Sequence, residues 1–116
     1  MKVYISSGGF NKIPPELAIK KLKSFGIKNI ELSGGAYSKN TLQKLIYKKK
    51  KFNFQIHNYF PPPKKPFVFN LASSNPKIAK LSFEHAKYAI NCSKKLNSKF
   101  YSFHAGFLCD IKINEL

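Results

Sequence analysis

The most informative segment of the chain reads Phe54-Gln55-Ile56-His57-Asn58-Tyr59-Phe60-Pro61-Pro62-Pro63. Phe54 and Ile56 share one parity, while Gln55 and His57 lie on the other. Because side chains alternate between faces along a strand, this pattern predicts a short strand with one apolar and one polar face. The prolines cannot continue a ladder of backbone hydrogen bonds, so the strand is expected to end at His57.

A second segment, Phe100-Tyr101-Ser102-Phe103-His104-Ala105-Gly106, has the same design. Tyr101 and Phe103 alternate with Ser102 and His104, and a glycine follows soon after the histidine. Two strands that each end in a histidine on the polar parity are difficult to attribute to packing alone. We therefore expect one site, built at one end of one sheet.

The length and composition of the chain restrict the classes of protein to which it can belong. Its 116 residues suffice for a single domain, which we assign to residues 1–116. No apolar run approaches the roughly 18 residues of a membrane span, and the chain does not open with the basic and apolar segments of a signal peptide. We therefore expect a cytoplasmic protein with no membrane partner.

The formal net charge of +16 points to a polyanionic partner, because basic patches attract nucleic acids. However, all 21 basic residues are lysine, whereas arginine supplies the bidentate fork that favours phosphate and base edges. Lysine, asparagine, isoleucine, phenylalanine and tyrosine are all abundant, a composition that AT-rich coding also produces. Coding bias is our preferred explanation and a selected polyanion surface is the alternative, so nucleic acid is not the partner that we expect.

The whole chain reads as an alternation of strands and helices. Strands are predicted over Lys2–Ser6, Lys28–Leu32, Phe52–His57 and Phe100–His104, with a helix after each of the first three. Such an alternation implies right-handed crossovers and a parallel sheet. Unit lengths of about 25 residues fit the (βα)8 TIM barrel, of which this chain would form about four βα units, or half a barrel. A doubly wound sheet is the alternative, but the first loop lacks the spaced glycines of a dinucleotide fingerprint.

The third predicted helix, capped by Ser74 or Asn75, carries two residues with reactive side chains. His85 lies on or beside its apolar stripe, where a packing role is the better interpretation. Cys92 lies on the stripe itself and is expected to be a buried thiol, since the two cysteines have no CxxC spacing and no cytosolic reason to pair.

Functional side chains in an α/β sheet collect where the carboxyl ends of the strands emerge. Three candidate catalytic residues arrive there on the inward parity: Glu31, His57 and His104. Imidazole and carboxylate groups bind zinc, manganese or iron, and they also act as acids and bases. Moving a proton beside a sugar carbonyl requires such a base, together with a cation that stabilises the enediolate. The structural alternatives are a lysine partner for Glu31 and local loop contacts for each histidine.

A long loop, residues 58–75, follows the third predicted strand and has four prolines among residues 61–66. A loop of this length in a compact domain is usually functional. We predict that Asn58, Lys64 and Lys65 bind substrate, with the lysine-rich loop holding an anionic sugar. A solvated cover over the site is an equally good interpretation of the loop.

At these residues the sequence resembles the xylose-isomerase-like TIM barrels, which include sugar-phosphate isomerases and epimerases and the endonuclease-IV-type AP endonucleases. The resemblance covers all 116 residues and is carried by residues 30–35, 56–63, 67–73 and 102–107. It is greatest to the sugar isomerase/epimerase-like members. In that family a histidine ends the third strand and another ends the fourth, and His57 and His104 match these positions. The resemblance implies that both contact a sugar or sugar phosphate, or a divalent metal (zinc, manganese or magnesium).

The chain departs from this family in one respect. The family's main metal ligands and catalytic carboxylates lie on strands five to eight, whereas this chain stops after the fourth. The resemblance therefore implies an N-terminal half barrel, catalytically incomplete alone, whose first and fourth strands are open edges prone to association. We expect a fragment, a truncated reading frame, or a half that pairs with another half barrel or with itself. A DNA-repair fragment of the endonuclease-IV type and a non-enzymatic partner module are the alternatives.

Overall fold

A four-stranded parallel sheet forms the centre of the fold in the computed structural model, which describes residues 1–115. Its strands are β1 (Ile5–Ser6), β2 (Asn29–Leu32), β3 (Asn53–His57) and β4 (Tyr101–Ser102). They lie in the order β1-β2-β3-β4, and every neighbouring pair is parallel. The protein therefore has an α/β fold, as the alternation of strands and helices predicted.

Three α-helices connect the strands: α1 (Pro15–Ser24), α2 (Thr41–Ile46) and α3 (Pro76–Lys95), with short 3-10 helices over Ser7–Phe10 and Ile113–Glu115. Proline begins both α1 and α3, because a first-turn residue needs no donor for the helix. Asn75, rather than Ser74, caps α3 by accepting a hydrogen bond from the backbone N–H of Lys77 at 3.0 Å. None of these helices, within residues 1–115, has both the length and the apolar character to cross a bilayer.

All three helices pack against the same face of the sheet. The inward side chains of β2 and β3 form a single core with residues from each helix, namely Ile30, Leu32, Phe54 and Ile56 with Ile19 and Leu22 of α1, Leu42 and Leu45 of α2, and Ala89 and Cys92 of α3. The alternation predicted for β3 is therefore confirmed. The opposite face carries Glu31, Gln55 and His57, which are only partly buried. The helical side of the sheet is thus the core, and the other side is polar.

The two outer strands are shorter than the sequence predicted. The pairing of β1 with β2 ends at Ser6 and Glu31, and the pairing of β4 with β3 ends at His57 and Ser102. β3 ends at His57, the partner of Ser102, so β4 has no strand to pair with beyond Ser102. His104 therefore lies two residues beyond β4 instead of at its last paired position.

Candidate functional site

The carboxyl ends of β3 and β4 bring two of the predicted catalytic residues together. His57 is the last residue of β3, and His104 follows β4. The centroids of the two imidazole rings are 5.2 Å apart, and the ring planes meet at 87°. His57 is partly buried and His104 is exposed. The two imidazoles therefore form one accessible pair on the polar face of the sheet.

Ser102 holds His57 in place. The two residues are partners in the register of β3 and β4, so their side chains project from the same face. Nδ1 of His57 lies 2.8 Å from the hydroxyl oxygen of Ser102, and this contact leaves Nε2 to carry a proton or a ligand. The sequence placed Ser102 on the polar parity without giving it a role, because the register between the strands was not known.

Glu31 shares the polar face with His57 but lies at a different level. It pairs with Gln55, two residues before His57. At about 3.3 Å per residue, the backbone of Glu31 lies roughly 6.6 Å further than that of His57 from the edge of the sheet at which the carboxyl ends of the strands emerge. Within residues 1–115, no three His, Cys, Asp or Glu side chains come close enough together to hold a metal ion. The side chains of the described residues therefore do not by themselves complete a metal site at the histidine pair.

Asn58, the residue after β3, is engaged in structural contacts. It is buried, and its backbone carbonyl accepts a hydrogen bond from the hydroxyl of Ser33 at 2.8 Å. Its side-chain oxygen accepts a hydrogen bond from the hydroxyl of Tyr101 at 3.1 Å. Burial raises the pKa of Tyr101 to about 12, so this hydroxyl keeps its proton at neutral pH. These contacts give Asn58 a role in fixing the turn behind His57, and its predicted contact with substrate stays a prediction.

Lys64 and Lys65 lie in the long loop after β3, where both side chains are exposed. The prolines before them behave differently, since Pro61 and Pro62 are buried. The start of the loop is therefore packed against the domain, and the lysines project from its solvent side. This position suits both interpretations of the loop, a ligand contact and a solvated cover.

Asn70 fastens the long loop to the segment that follows His104. Its side-chain oxygen accepts hydrogen bonds from the backbone N–H groups of Ala72 and Phe107, each at 3.1 Å. Its amide nitrogen donates to a carboxylate oxygen of Asp110 at 2.8 Å. The backbone N–H of Leu71 also donates to the carbonyl of Ala105, the residue after His104, at 3.0 Å. These bonds set the course of the backbone that carries the second imidazole.

Gly106 is required by the same arrangement. A Cβ atom at this position would lie 2.3 Å from the side-chain oxygen of Asn70 and 3.2 Å from the backbone nitrogen of Ala72. Atoms cannot approach so closely, so a larger residue would displace the Asn70 side chain. The glycine after His104 is therefore explained by contact with the long loop, whereas the sequence indicated only the end of a strand.

His85 is buried in a group of aromatic rings, as its place on the helix stripe suggested. Its ring centroid lies 6.0 Å from Tyr59, 5.8 Å from Phe67 and 6.1 Å from Phe69. Burial lowers the pKa of His85, because the charged imidazole would lose its hydration. Its Nε2 atom is buried and has no hydrogen-bond partner within residues 1–115. It lies apart from the pair at the strand ends.

Comparison with known proteins bears on the fold. No protein-family model matches the sequence, and no curated protein matches it. Among solved structures, the chain is similar to the TTHB071 protein from Thermus thermophilus, in a structure described as soaked with ZnCl2, with a TM-score of 0.58 and 17% sequence identity. The alignment covers 91% of this chain but 39% of that one. The likeness shows a shared fold, and the chain spans well under half the length of that protein.

Proposed function

We propose that this chain is the N-terminal half of a (βα)8 barrel of the sugar isomerase/epimerase class, and that it is catalytically incomplete by itself. The observation that carries the proposal is the imidazole pair of His57 and His104, whose ring centroids are 5.2 Å apart at the carboxyl ends of two adjacent parallel strands. In a barrel, this end of the sheet is the mouth at which enzymes of the fold hold their active sites.

The strand order supports a barrel over a doubly wound sheet. Right-handed crossovers that always step to the next strand in the same direction put every helix on one face. A doubly wound sheet reverses direction and covers both faces. Here the order is β1-β2-β3-β4, and α1, α2 and α3 share one core on one side. The polar face that remains would become the interior of a barrel.

Apolar side chains at both edges of the sheet also support completion by further strands. Beside β1, Val3 is 66% exposed, and beside β4, Phe100 is 63% exposed. Exposed apolar residues on unpaired edges are templates for association. In our proposal, the remaining βα units belong to polypeptide other than these 116 residues, either continuous with them or separate.

The residues present suggest a division of roles in such a site. A divalent metal bound there would supply positive charge to stabilise an enediolate oxygen. His57 and His104 would provide two neutral nitrogen ligands, a donor type suited to zinc and manganese. Glu31, one level further inside, would orient a sugar hydroxyl. The exposed Lys64 and Lys65 would hold the phosphate of a sugar phosphate.

Titration of the purified chain with ZnCl2, followed by NMR of the histidine side chains, tests the metal part of the proposal. Zinc is the first metal to try because the structural neighbour is described as soaked with ZnCl2. We expect the resonances of His57 and His104 to shift together, while those of buried His85 do not. Replacing either His57 or His104 by alanine should weaken zinc binding by roughly tenfold or more, whereas His85→Phe should leave zinc binding unchanged. Equal losses in all three variants would contradict the proposal.

Saturation-transfer NMR with a panel of aldose and ketose phosphates tests the substrate class. We expect the sugar phosphates to bind weakly and the uncharged sugars not to bind. The double variant Lys64→Ala/Lys65→Ala should bind the sugar phosphates less tightly than the unaltered chain. Because a net charge of +16 attracts nucleic acids, an abasic-site oligonucleotide must be tested as a ligand that competes with the sugar phosphates. If the oligonucleotide binds and no sugar phosphate does, the endonuclease-IV-type alternative replaces the isomerase.

A further inference from the structure

We propose that the hollow between α1 and α2 is a docking site for an acidic amphipathic helix of a partner protein. The hollow lies on the helical side of the sheet, whereas His57 and His104 lie on the polar side. The proposal therefore does not depend on the function of the histidine pair.

Two rows of lysine line this hollow, which we call the lysine trough. Lys20 and Lys23 of α1 form one side, and Lys44, Lys48 and Lys51, from α2 and the turns after it, form the other. The volume between them is about 670 Å³. A second hollow of about 420 Å³ shares Lys23 and Lys51 and continues the trough past Lys28 and Lys50.

The positive charge of the trough is largely uncompensated. Glu16 is the carboxylate in its lining, and Lys44 is paired with it at 2.6 Å. Within the described residues, no salt bridge is made by the other four lysines of the two rows, Lys20, Lys23, Lys48 and Lys51. Like charges facing each other across a groove repel, and an anionic occupant would remove that repulsion.

The floor of the trough is apolar, and this feature decides the kind of anion. Buried Ile19 and Phe52 lie at the base, while Leu17 is 48% exposed and Tyr47 is 86% exposed. An amphipathic helix with acidic residues on both sides of an apolar stripe matches an apolar floor between two basic rows. A single-stranded nucleic acid carries phosphates along one backbone, so its charge would pair with one basic row and leave the other row uncompensated. An acidic helix is therefore the occupant that the trough fits best.

The test uses a fluorescein-labelled synthetic helix of about 18 residues, with leucine at helical spacing and glutamate on both flanks. Its binding to the full chain is measured by fluorescence anisotropy at about 0.15 M ionic strength. Two matched probes accompany it, a scrambled peptide of the same composition and a labelled oligothymidylate. We expect the helix to bind roughly tenfold more tightly than the scrambled peptide, because only the helix presents a stripe to the floor.

Charge-reversal variants then locate the binding site. Lys20→Glu/Lys23→Glu and Lys48→Glu/Lys51→Glu should each weaken binding of the helix by roughly tenfold. Lys77→Glu/Lys80→Glu, with the same charge change on exposed positions of α3, should change it by less than about twofold. Tyr47→Ala, which leaves the charge unaltered, should also weaken it. Far-UV circular dichroism confirms that each variant is folded.

Three results would overturn the proposal. The synthetic helix does not bind, or the oligothymidylate binds as tightly and responds to the same variants, or the α3 variant costs as much as the trough variants. The last result would mean that net charge, and not the trough, attracts the peptide. The zinc titration at His57 and His104 is unaffected by any of these outcomes, so the two proposals fail separately.

Discussion

Removing the side chain of Asn70 should destabilise the protein by about 2–3 kcal/mol, because this side chain fastens the long loop to the segment that follows His104. Asn70→Ala deletes two bonds to backbone N–H groups at 3.1 Å and one to the carboxylate of Asp110 at 2.8 Å. Neutral hydrogen bonds contribute about 1 kcal/mol each and a bond to a charged group about 1.5–3 kcal/mol, or roughly 4 kcal/mol in total. Ala72, Phe107 and Asp110 are exposed, so water will replace part of this.

Urea unfolding monitored by circular dichroism measures the loss of stability. The free energy of unfolding falls linearly with urea concentration, so its value in water is obtained by extrapolation. The expected loss is a large part of the roughly 5–15 kcal/mol typical of a domain. Asn91→Ala is the matched control, since Asn91 is exposed on α3 and the same change there should stay within about 0.5 kcal/mol. Amide hydrogen exchange adds a local reading, because the bond from Leu71 to Ala105 should open more often in Asn70→Ala.

Two further variants separate the hydrogen-bond network from a general effect of truncation. Asn70→Asp keeps the shape but faces Asp110 with a second carboxylate, and Asn70→Asp/Asp110→Asn should recover most of the loss by exchanging donor and acceptor. Gly106→Ala should cost about as much as Asn70→Ala, because its Cβ would lie 2.3 Å from the Asn70 oxygen. A cost below about 0.5 kcal/mol for Asn70→Ala, or no recovery in the double variant, would refute the reasoning.

Three further predictions concern titratable groups. At about pH 8 a thiol reagent should label exposed Cys109 and not Cys92, because Cys92 is buried and burial raises the pKa of its thiol to about 11. Peptide mass spectrometry that finds both cysteines labelled in the folded protein would contradict this. Burial alone would raise the pKa of Glu16, but hydrogen bonds from Lys44 and a serine outweigh it and place the pKa below 4.5. The pair should therefore contribute about 0.5 kcal/mol at pH values above the ordinary pKa of 4.5, and this contribution is lost as the pH falls through the lowered pKa. Lys44→Met should reduce that pH dependence in urea titrations. Burial lowers the pKa of His85 below 6.5, so the unfolded chain takes up the proton first. The free energy of unfolding should fall below about pH 6.5, and a slope unchanged in His85→Phe would exclude this histidine as its cause.

Much of the sheet could be predicted because its signals are local. The alternation of Phe54 and Ile56 with Gln55 and His57 fixes which side of β3 is buried without reference to any other strand. The approach of His104 to His57 follows from one more assumption, that adjacent strands are parallel. The lengths of β1 and β4 were overestimated because the end of an outer strand depends on its neighbour, which no local pattern records.

The contacts that hold the site in place could not be predicted from the sequence. Asn70 lies in a loop without periodicity, and its partners are 2, 37 and 40 residues away. The residue before α2 shows a different limit. Asparagine is a common helix cap, but Asn40 adopts the left-handed conformation with φ of 61°, and its side chain makes no capping bond. Residue type alone does not distinguish an asparagine that caps a helix from one that turns the chain.

The hydroxyl of Ser102 gives His57 a freedom that a carboxylate in the same place would deny. A carboxylate accepts only, so it would keep the proton on Nδ1 and leave Nε2 as a lone pair. A hydroxyl rotates about its C–O bond and can either accept from Nδ1 or donate to it across the same 2.8 Å. The imidazole can therefore exchange tautomers without moving a heavy atom. Nε2 can offer an electron pair in one tautomer and an N–H in the other, so one side chain can serve as ligand, base or acid.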